Sequence, residues 1–340
     1  MTLSGIPILD LAPFRHAPTS PDATRFVDKL RSVCHEHGFF YLTGHGVDDA
    51  LNDDVHALAR RFFALPLAQR LDIANVNSAQ FRGYTAIDHE FTGGRPDHRD
   101  QLDIGHELPP PRLEPGDPAW LRLRGPNLWP SELPELRPTL TSWMDQMQQV
   151  GATVLRALAL ALDQPPDRFD DFVTPRPEVL VKVIRYPARD NDVHDDDQGV
   201  GEHRDTGLVT FVHQDDVGGL QVKLGDNFVD IPKLPATFVV NLGEMMQLLT
   251  RGYFAATVHR VVSPPPGRQR ISVSYFYNPK LEATLEPITL PPAFAADAPG
   301  GESADPTNPI LANYGENSLK VRLRAHPDVA RRHHSDLIAN

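Results

Sequence analysis

The sequence contains one cysteine, Cys34, which rules out an intrachain disulfide and with it a disulfide-stapled scaffold. Cys34 falls on the apolar face of a helical run before Gly38, the place of a half-buried structural thiol rather than a reactive one. No run of about eighteen apolar residues occurs, so no membrane-spanning helix is expected. The opening Met1-Thr-Leu-Ser-Gly-Ile-Pro-Ile-Leu-Asp lacks a basic start and a long apolar core. No signal peptide is therefore expected, and a cytoplasmic protein is. Lysine is scarce, 6 against 27 arginines, and the net charge is −12. A phosphate-binding surface needs a basic face, so nucleic acid is not an expected partner. The 340 residues carry an ordinary 40% apolar content, enough for one large domain or two modest ones.

Hydrophobic periodicity divides the chain. Residues 1–135 read as an N-terminal α/β region. A strand at Ile6–Leu9 precedes a helix over Pro21–His37, with Phe26, Leu30, Val33 and Cys34 on one face. Gly38 stops that helix, and a buried strand follows at Phe39–Leu42. Asp48–Leu65 is a second helix, ended by Pro66. Residues 74–135 are rich in Pro and Gly and read as substrate-facing loops laid over a scaffold. A long amphipathic helix at Leu140–Leu162 dominates residues 136–178, a supporting segment. From Val179 the character turns to β. Strands are expected at Val179–Tyr186, Leu208–His213, Gly219–Leu224, Phe228–Ile231, Thr237–Asn241, Thr257–Val262 and Arg270–Tyr277, with turn signals between them. Residues 291–340 form a C-terminal loop and a charged helix. Short strands at this spacing predict a mainly β sandwich or jelly roll over 179–290, with flanking helices. The acidic run Asp190–Asp197 reads as a solvated loop. Its consecutive carboxylates repel, and no glycine supplies the turn that a calcium loop needs.

His203 and Asp205 lie two apart, and His259 follows 54 residues on. Two imidazoles and a carboxylate hold a divalent transition metal on one face and leave the other open. Fe(II) fits, and so does zinc; calcium and magnesium prefer all-oxygen sites. If His203 and Asp205 begin a strand, their side chains share a face. His259, in a strand-like run, would be brought alongside. Arg270 and Ser272 repeat the two-residue spacing. A guanidinium offers a planar fork to a carboxylate, and an Arg inside a barrel is costly unless an anion meets it. That anion is either a carboxylated ligand or one of the chain's own acids.

Several stretches then fall into a known order. They are Pro7-Ile-Leu-Asp-Leu, Gly38-Phe-Phe-Tyr-Leu-Thr-Gly-His-Gly-Val, Phe62-Phe-Ala-Leu-Pro, Arg82-Gly-Tyr, Ile184-Arg-Tyr-Pro, His203-Arg-Asp-Thr-Gly-Leu-Val-Thr, Gln214-Asp-Asp-Val-Gly-Gly-Leu-Gln-Val, Val240-Asn-Leu-Gly, His259-Arg-Val and Arg270-Ile-Ser. Over nearly its whole length the chain resembles the isopenicillin-N-synthase-like group of Fe(II)/2-oxoglutarate-dependent oxygenases. The resemblance implies a double-stranded β-helix core. It implies iron on His203, Asp205 and His259. It also implies 2-oxoglutarate held through its far carboxylate by Arg270, Ser272 and Tyr186, and O2 as the oxidant. Asn241-Leu-Gly matches a framework turn. Ile184-Arg185-Tyr186-Pro187 is closer to the bacterial and fungal peptide oxidase than to the plant enzymes. That oxidase keeps Arg-X-Ser without using 2-oxoglutarate.

The expected reaction is oxidation, by default hydroxylation, of a small molecule, amino-acid-derived or a secondary metabolite, with succinate and CO2 as co-products. No separate general base is expected. An iron/O2 oxidase that uses no keto acid is one alternative, and a non-catalytic jelly-roll binding protein is another. Substrate contacts are expected from Arg82, Tyr84, Gln101, Asp103, His106, Met245 and Gln247. His213 reads as a strand residue with a local hydrogen bond.

Overall fold

A computed structural model describes residues 2–3, 5–189, 198–300 and 308–338; the acidic run Asp190–Asp197 lies outside the described residues. Two sheets face each other. The larger has nine strands, in the order Thr2–Leu3, Ile6–Asp10, Phe39–Thr43, Phe238–Leu242, Val209–Gln214, Arg270–Asn278, Glu178–Tyr186, Asp100–Ile104 and Gly83–Thr85. The smaller has four: Asn227–Asp230, Leu220–Leu224, His259–Val262 and Gln198–His203. Apart from the hairpin of Leu220–Leu224 and Asn227–Asp230, the strands from Glu178 onward alternate between the sheets, as in a jelly roll. Strands from the first third of the chain extend the larger sheet on both sides.

The apolar face between the sheets is built from Ile184, Tyr186, Val200, Leu220, Val222 and Val261. The outer face of the large sheet is covered by helices Pro21–Glu36, Asp49–Ala64 and Leu136–Ala161. The first is capped by the Ser20 hydroxyl, which accepts from the Ala23 amide at 3.2 Å. Cys34 is fully buried on its inner face, and burial pushes its thiol pKa up. The thiol is therefore structural and shielded from solvent. Two charged helices, Tyr314–Ala325 and Pro327–His333, follow near the C-terminus. Among the described residues no helix is long and apolar enough to cross a membrane.

The expectation of loops over 74–135 requires correction. Asp100–Ile104 is a strand of the large sheet, paired with Glu178–Tyr186, and all five of its residues are buried. Hydrophobic alternation missed it because both faces are buried and each carries one acid, Asp100 on one and Asp103 on the other, neutralised inside the protein. Asp100 receives Arg185 at 2.9 and 2.7 Å and Arg70 at 2.6 Å. Asp103 receives Lys182 at 3.1 Å and Arg322 at 2.9 Å.

His213 lies in the strand Val209–Gln214 as expected, but its Nδ1 has no hydrogen-bond partner among the described residues. It packs edge-on to His56, with ring centres 4.6 Å apart, and against Phe238. Burial, then the neighbouring His56, lowers the His213 pKa to about 3. Burial and nearby cations lower His56 to about 4. Both folded values lie below the ordinary 6.5 of an unfolded chain, so the unfolded state binds more protons as pH falls. The stability these residues contribute is full above about pH 6.5 and is lost toward about pH 4. Each neutral histidine accounts for about 1.4 kcal/mol per pH unit in that window. His213→Leu should flatten the dependence of urea-unfolding free energy on pH by about that amount. An unchanged slope would show that this pair does not drive acid sensitivity.

Candidate metal centre

The three ligand candidates meet where the small sheet ends. His203 is the last residue of its strand and pairs directly with His259, the first of the next. The expectation that His203 begins a strand is corrected: Asp205 lies beyond the strand, in a turn. Its direction comes from two donors, not from strand alternation. The Asn241 amide donates to Asp205 Oδ2 at 2.7 Å, and the Thr210 hydroxyl donates to the same oxygen. Oδ1 is left facing His203 Nε2 at 3.5 Å and His259 Nε2 at 3.7 Å.

Each imidazole is oriented from behind. His203 Nδ1 lies 2.8 Å from the Gly201 carbonyl, and His259 Nδ1 lies 3.1 Å from the Thr257 carbonyl. A carbonyl only accepts, so each Nδ1 carries the hydrogen and each Nε2 presents its lone pair. Nε2, Nε2 and Oδ1 are the donors a metal needs, and the ligand atoms all lie within 4.8 Å of one another. This donor set fits a borderline divalent ion. The turn is held against the Asn241-Leu-Gly segment by close backbone approach. A Cβ on Gly243 would stand 2.2 Å from the Gly207 carbonyl oxygen and 2.8 Å from that of Asp205.

Electrostatics agree with the geometry. Burial alone would raise the Asp205 pKa, but His259, His203 and Asn241 together hold it well below the carboxylate range. Burial and the adjacent His203 lower His259 to about 4. For His203, burial works downward, yet the adjacent Asp205 carboxylate outweighs it and raises the pKa.

Arg270 is 1% exposed and sits deeper in the same cavity. Its Nη1 donates to the Ser272 hydroxyl and its Nη2 to Gln214 Oε1, both at 3.1 Å, while Nε has no partner among the described residues. The guanidinium stands 4.9 Å from the centre of the Tyr186 ring. Among the described residues no carboxylate pairs with it. A buried cation with only neutral partners and a free N–H fits a carboxylate ligand.

Triad and guanidinium share one cavity of about 750 Å³. Its wall comes from the inward residues of two paired strands, in register as Arg270 with Tyr186, Ser272 with Ile184, Ser274 with Lys182, Phe276 with Leu180 and Asn278 with Glu178. Of the expected substrate contacts, Arg82 lines this cavity and the others do not. Tyr84 is buried, with its hydroxyl bonded to Asp100 and Arg70. Gln101 donates to Asp103, and Asp103 is held by Lys182 and Arg322. His106 bonds the Pro177 carbonyl at 3.1 Å. Met245 is fully buried in the apolar core, and Gln247 accepts from the Ala256 amide at 3.0 Å. Sequence reasoning missed Thr210, Gln214, Glu178 and Lys182. Strand alternation from Tyr186 backward would have found Lys182 and Glu178.

Residues 6–132 match the N-terminal family of the non-haem dioxygenase in morphine synthesis, and residues 179–279 match the 2OG-Fe(II) oxygenase superfamily. The 2-oxoglutarate-dependent dioxygenase frbJ of Dothideomycetidae sp. is 33% identical, over 97% of this chain and 92% of its own. Homoarginine-6-hydroxylase 2-ODD-233 of Oryza sativa is 32% identical, over 83% and 88%. Among solved structures, a full-length Neurospora crassa protein in complex with alpha-KG and 5-formyluracil has 26% identity and a TM-score of 0.73, covering 97% of this chain and 96% of that one.

Asn241→Ala leaves Asp205 Oδ2 to Thr210 alone. It should weaken Fe(II) binding by about 10–100-fold in an anaerobic titration, with the fold retained. Unchanged affinity would mean that the carboxylate does not depend on this donor for its orientation.

Proposed function

The chain belongs to the 2OG-Fe(II) oxygenase superfamily, and from that premise we propose that His203, Asp205 and His259 hold its iron while Arg270, Ser272 and Tyr186 hold the far carboxylate of 2-oxoglutarate. The protein is an Fe(II)/2-oxoglutarate-dependent dioxygenase, a hydroxylating oxidoreductase acting on a small molecule. The observation that carries the residue assignment is Arg270, buried to 1% and paired only with neutral groups among the described residues.

Fe(II) held there, with 2-oxoglutarate and O2, would supply the oxidising power: one oxygen atom goes to the keto acid, which loses CO2 to become succinate, and the other enters a substrate C–H bond. The chain's residues prepare that chemistry. The Gly201 and Thr257 carbonyls fix both imidazoles with Nε2 forward. Asn241 and Thr210 occupy Asp205 Oδ2, so the carboxylate offers one oxygen and the far face stays free for ligands. Arg270 neutralises the anion it receives, and Ile184, Val261 and Leu220 keep water from that end.

Residues 179–290 are the catalytic core in this reading. Residues 1–135 and the support segment 136–178 frame it, and 291–340 close it. The substrate is a polar small molecule, amino-acid-derived or a secondary metabolite. Relatives named for homoarginine and a solved structure holding 5-formyluracil support that class. A cytoplasmic enzyme without a nucleic-acid partner remains the reading of the sequence, supported by its net charge of −12.

Protein loaded anaerobically with Fe(II) and then given 2-oxoglutarate and O2 should form succinate only with both present. His203→Ala should lose most iron affinity while keeping its melting temperature; wild-type affinity would refute the triad. Arg270→Leu should raise the KM for 2-oxoglutarate by the equivalent of about 2–5 kcal/mol. An unchanged KM would refute Arg270 as the holder of the far carboxylate.

A further inference from the structure

Buried charges around the cavity fall into two kinds. Most meet two or more charged acceptors. Arg99, on the cavity wall, lies 3.1 Å from both Asp97 and Glu90, although its Nε has no partner among the described residues. Lys182 has three acceptors, at 2.9, 3.1 and 3.1 Å, one for each ammonium proton. These are framework. Arg82 differs. It is 5% exposed and lines the cavity, yet its guanidinium makes a single hydrogen bond among the described residues, Nη2 to Glu178 Oε1 at 3.2 Å. Its Nε is buried without a partner. A guanidinium carries five N–H donors, and a folded core rarely leaves most of them unused. Space is kept for it: a Cβ on Gly105 would stand 2.4 Å from Arg82 Nη2.

Its partner lies at the same end. Glu178 faces Asn278 in register, and Asn278 packs on the turn that carries Asp205, since a Cβ on Gly207 would meet Asn278 Oδ1 at 1.6 Å. Thr210, which bonds Asp205, is level with Phe276. Asn278 is two residues further, about 7 Å along the strand. Arg82 and Glu178 therefore stand within the metal cavity, on the opposite side of the triad from Arg270.

We propose that Arg82 and Glu178 form the head-group site for the primary substrate, Arg82 donating to an acceptor and Glu178 accepting from an N–H on a neighbouring atom. This rests on the assignment of iron and 2-oxoglutarate to the other end of the cavity. The chemistry required is an acceptor and an N–H donor side by side. Two sources supply it: the carboxylate and ammonium of a free α-amino acid, and the cis-amide edge of a small ring such as a pyrimidine. Either satisfies what burial leaves wanting. Burial lowers the Arg82 pKa and raises that of Glu178, each against the partial compensation of the other. In an amino acid, the carbon presented to the triad is then several bonds from the head group, on the side chain.

The test is calorimetry on protein loaded anaerobically with Fe(II) and 2-oxoglutarate. Loading is the first control, because wild-type protein that fails to bind 2-oxoglutarate with Fe(II) refutes the reading of the other end. Two panels follow: free L-α-amino acids including L-homoarginine, each beside its decarboxylated amine, and thymine and uracil beside their N-methylated forms. One panel should contain a ligand that binds at least about tenfold tighter than its altered counterpart. Which panel responds identifies the head group. The pair Arg82→Met with Glu178→Leu removes both charges together, which a core tolerates better than removing one. It should lose about tenfold or more of that affinity with 2-oxoglutarate binding intact. Arg82→Lys, which keeps the charge and loses the fork, should show a similar loss and serves if the double variant does not fold. The proposal is overturned if neither panel binds protein that does bind 2-oxoglutarate. It is equally overturned if the ligand that binds does so undiminished in these variants.

Discussion

The centre depends on one carboxylate oxygen being spoken for. Asp205 Oδ2 is tied by Asn241 from one strand of the large sheet and by Thr210 from its neighbour. Oδ1 can then face only the two Nε2 atoms. Without those donors a carboxylate in a turn would swing, or take both oxygens to a metal and close the face that ligands need. The backbone carbonyls behind His203 and His259 do the same for the imidazoles by fixing the tautomer. The large sheet therefore orients a site whose histidines belong to the small one.

The strand pair Glu178–Tyr186 and Arg270–Asn278 then zones the cavity. At one end Arg270 and Tyr186 stand together, backed by Ser272 and Gln214. Phe276 and Leu180, the pair next to the far end, are level with Thr210 and so with the triad. The far end holds Glu178, with Arg82 against it. Arg270 and Arg82 thus sit at opposite ends of one chamber with the metal ligands between them, each with donors to spare among the described residues, while the third buried guanidinium on its wall, Arg99, is held by Asp97 and Glu90. Stability alone would favour apolar residues at both places. Binding charged or polar ligands at both ends is what makes that arrangement worth its cost.

Much of this was legible in the residues. Period-two runs marked all seven expected strands from Val179 to Tyr277 to within about two residues, and the two-residue spacing of Arg270 and Ser272 does put them in contact. His203, Asp205 and His259 converge as their types suggested. What the pattern hid has a physical cause. Asp100–Ile104 is a fully buried strand with an acid on each face, tolerated because the partners Arg70, Arg185, Lys182 and Arg322 arrive from elsewhere in the chain. Tyr84, Gln101 and Asp103 looked available for a substrate and are consumed by that network. Thr210 and Gln214 gave no sign of their roles, since a hydroxyl or amide on a strand acquires meaning only from what it faces.

The most direct test of the whole arrangement is a crystal structure of anaerobically loaded protein with data collected at the iron absorption edge. The account predicts one anomalous peak shared by His203 Nε2, Asp205 Oδ1 and His259 Nε2. It also predicts that 2-oxoglutarate extends from that peak to place its far carboxylate on Arg270. Iron bound elsewhere, or a keto acid with its carboxylate turned toward Arg82, would contradict it.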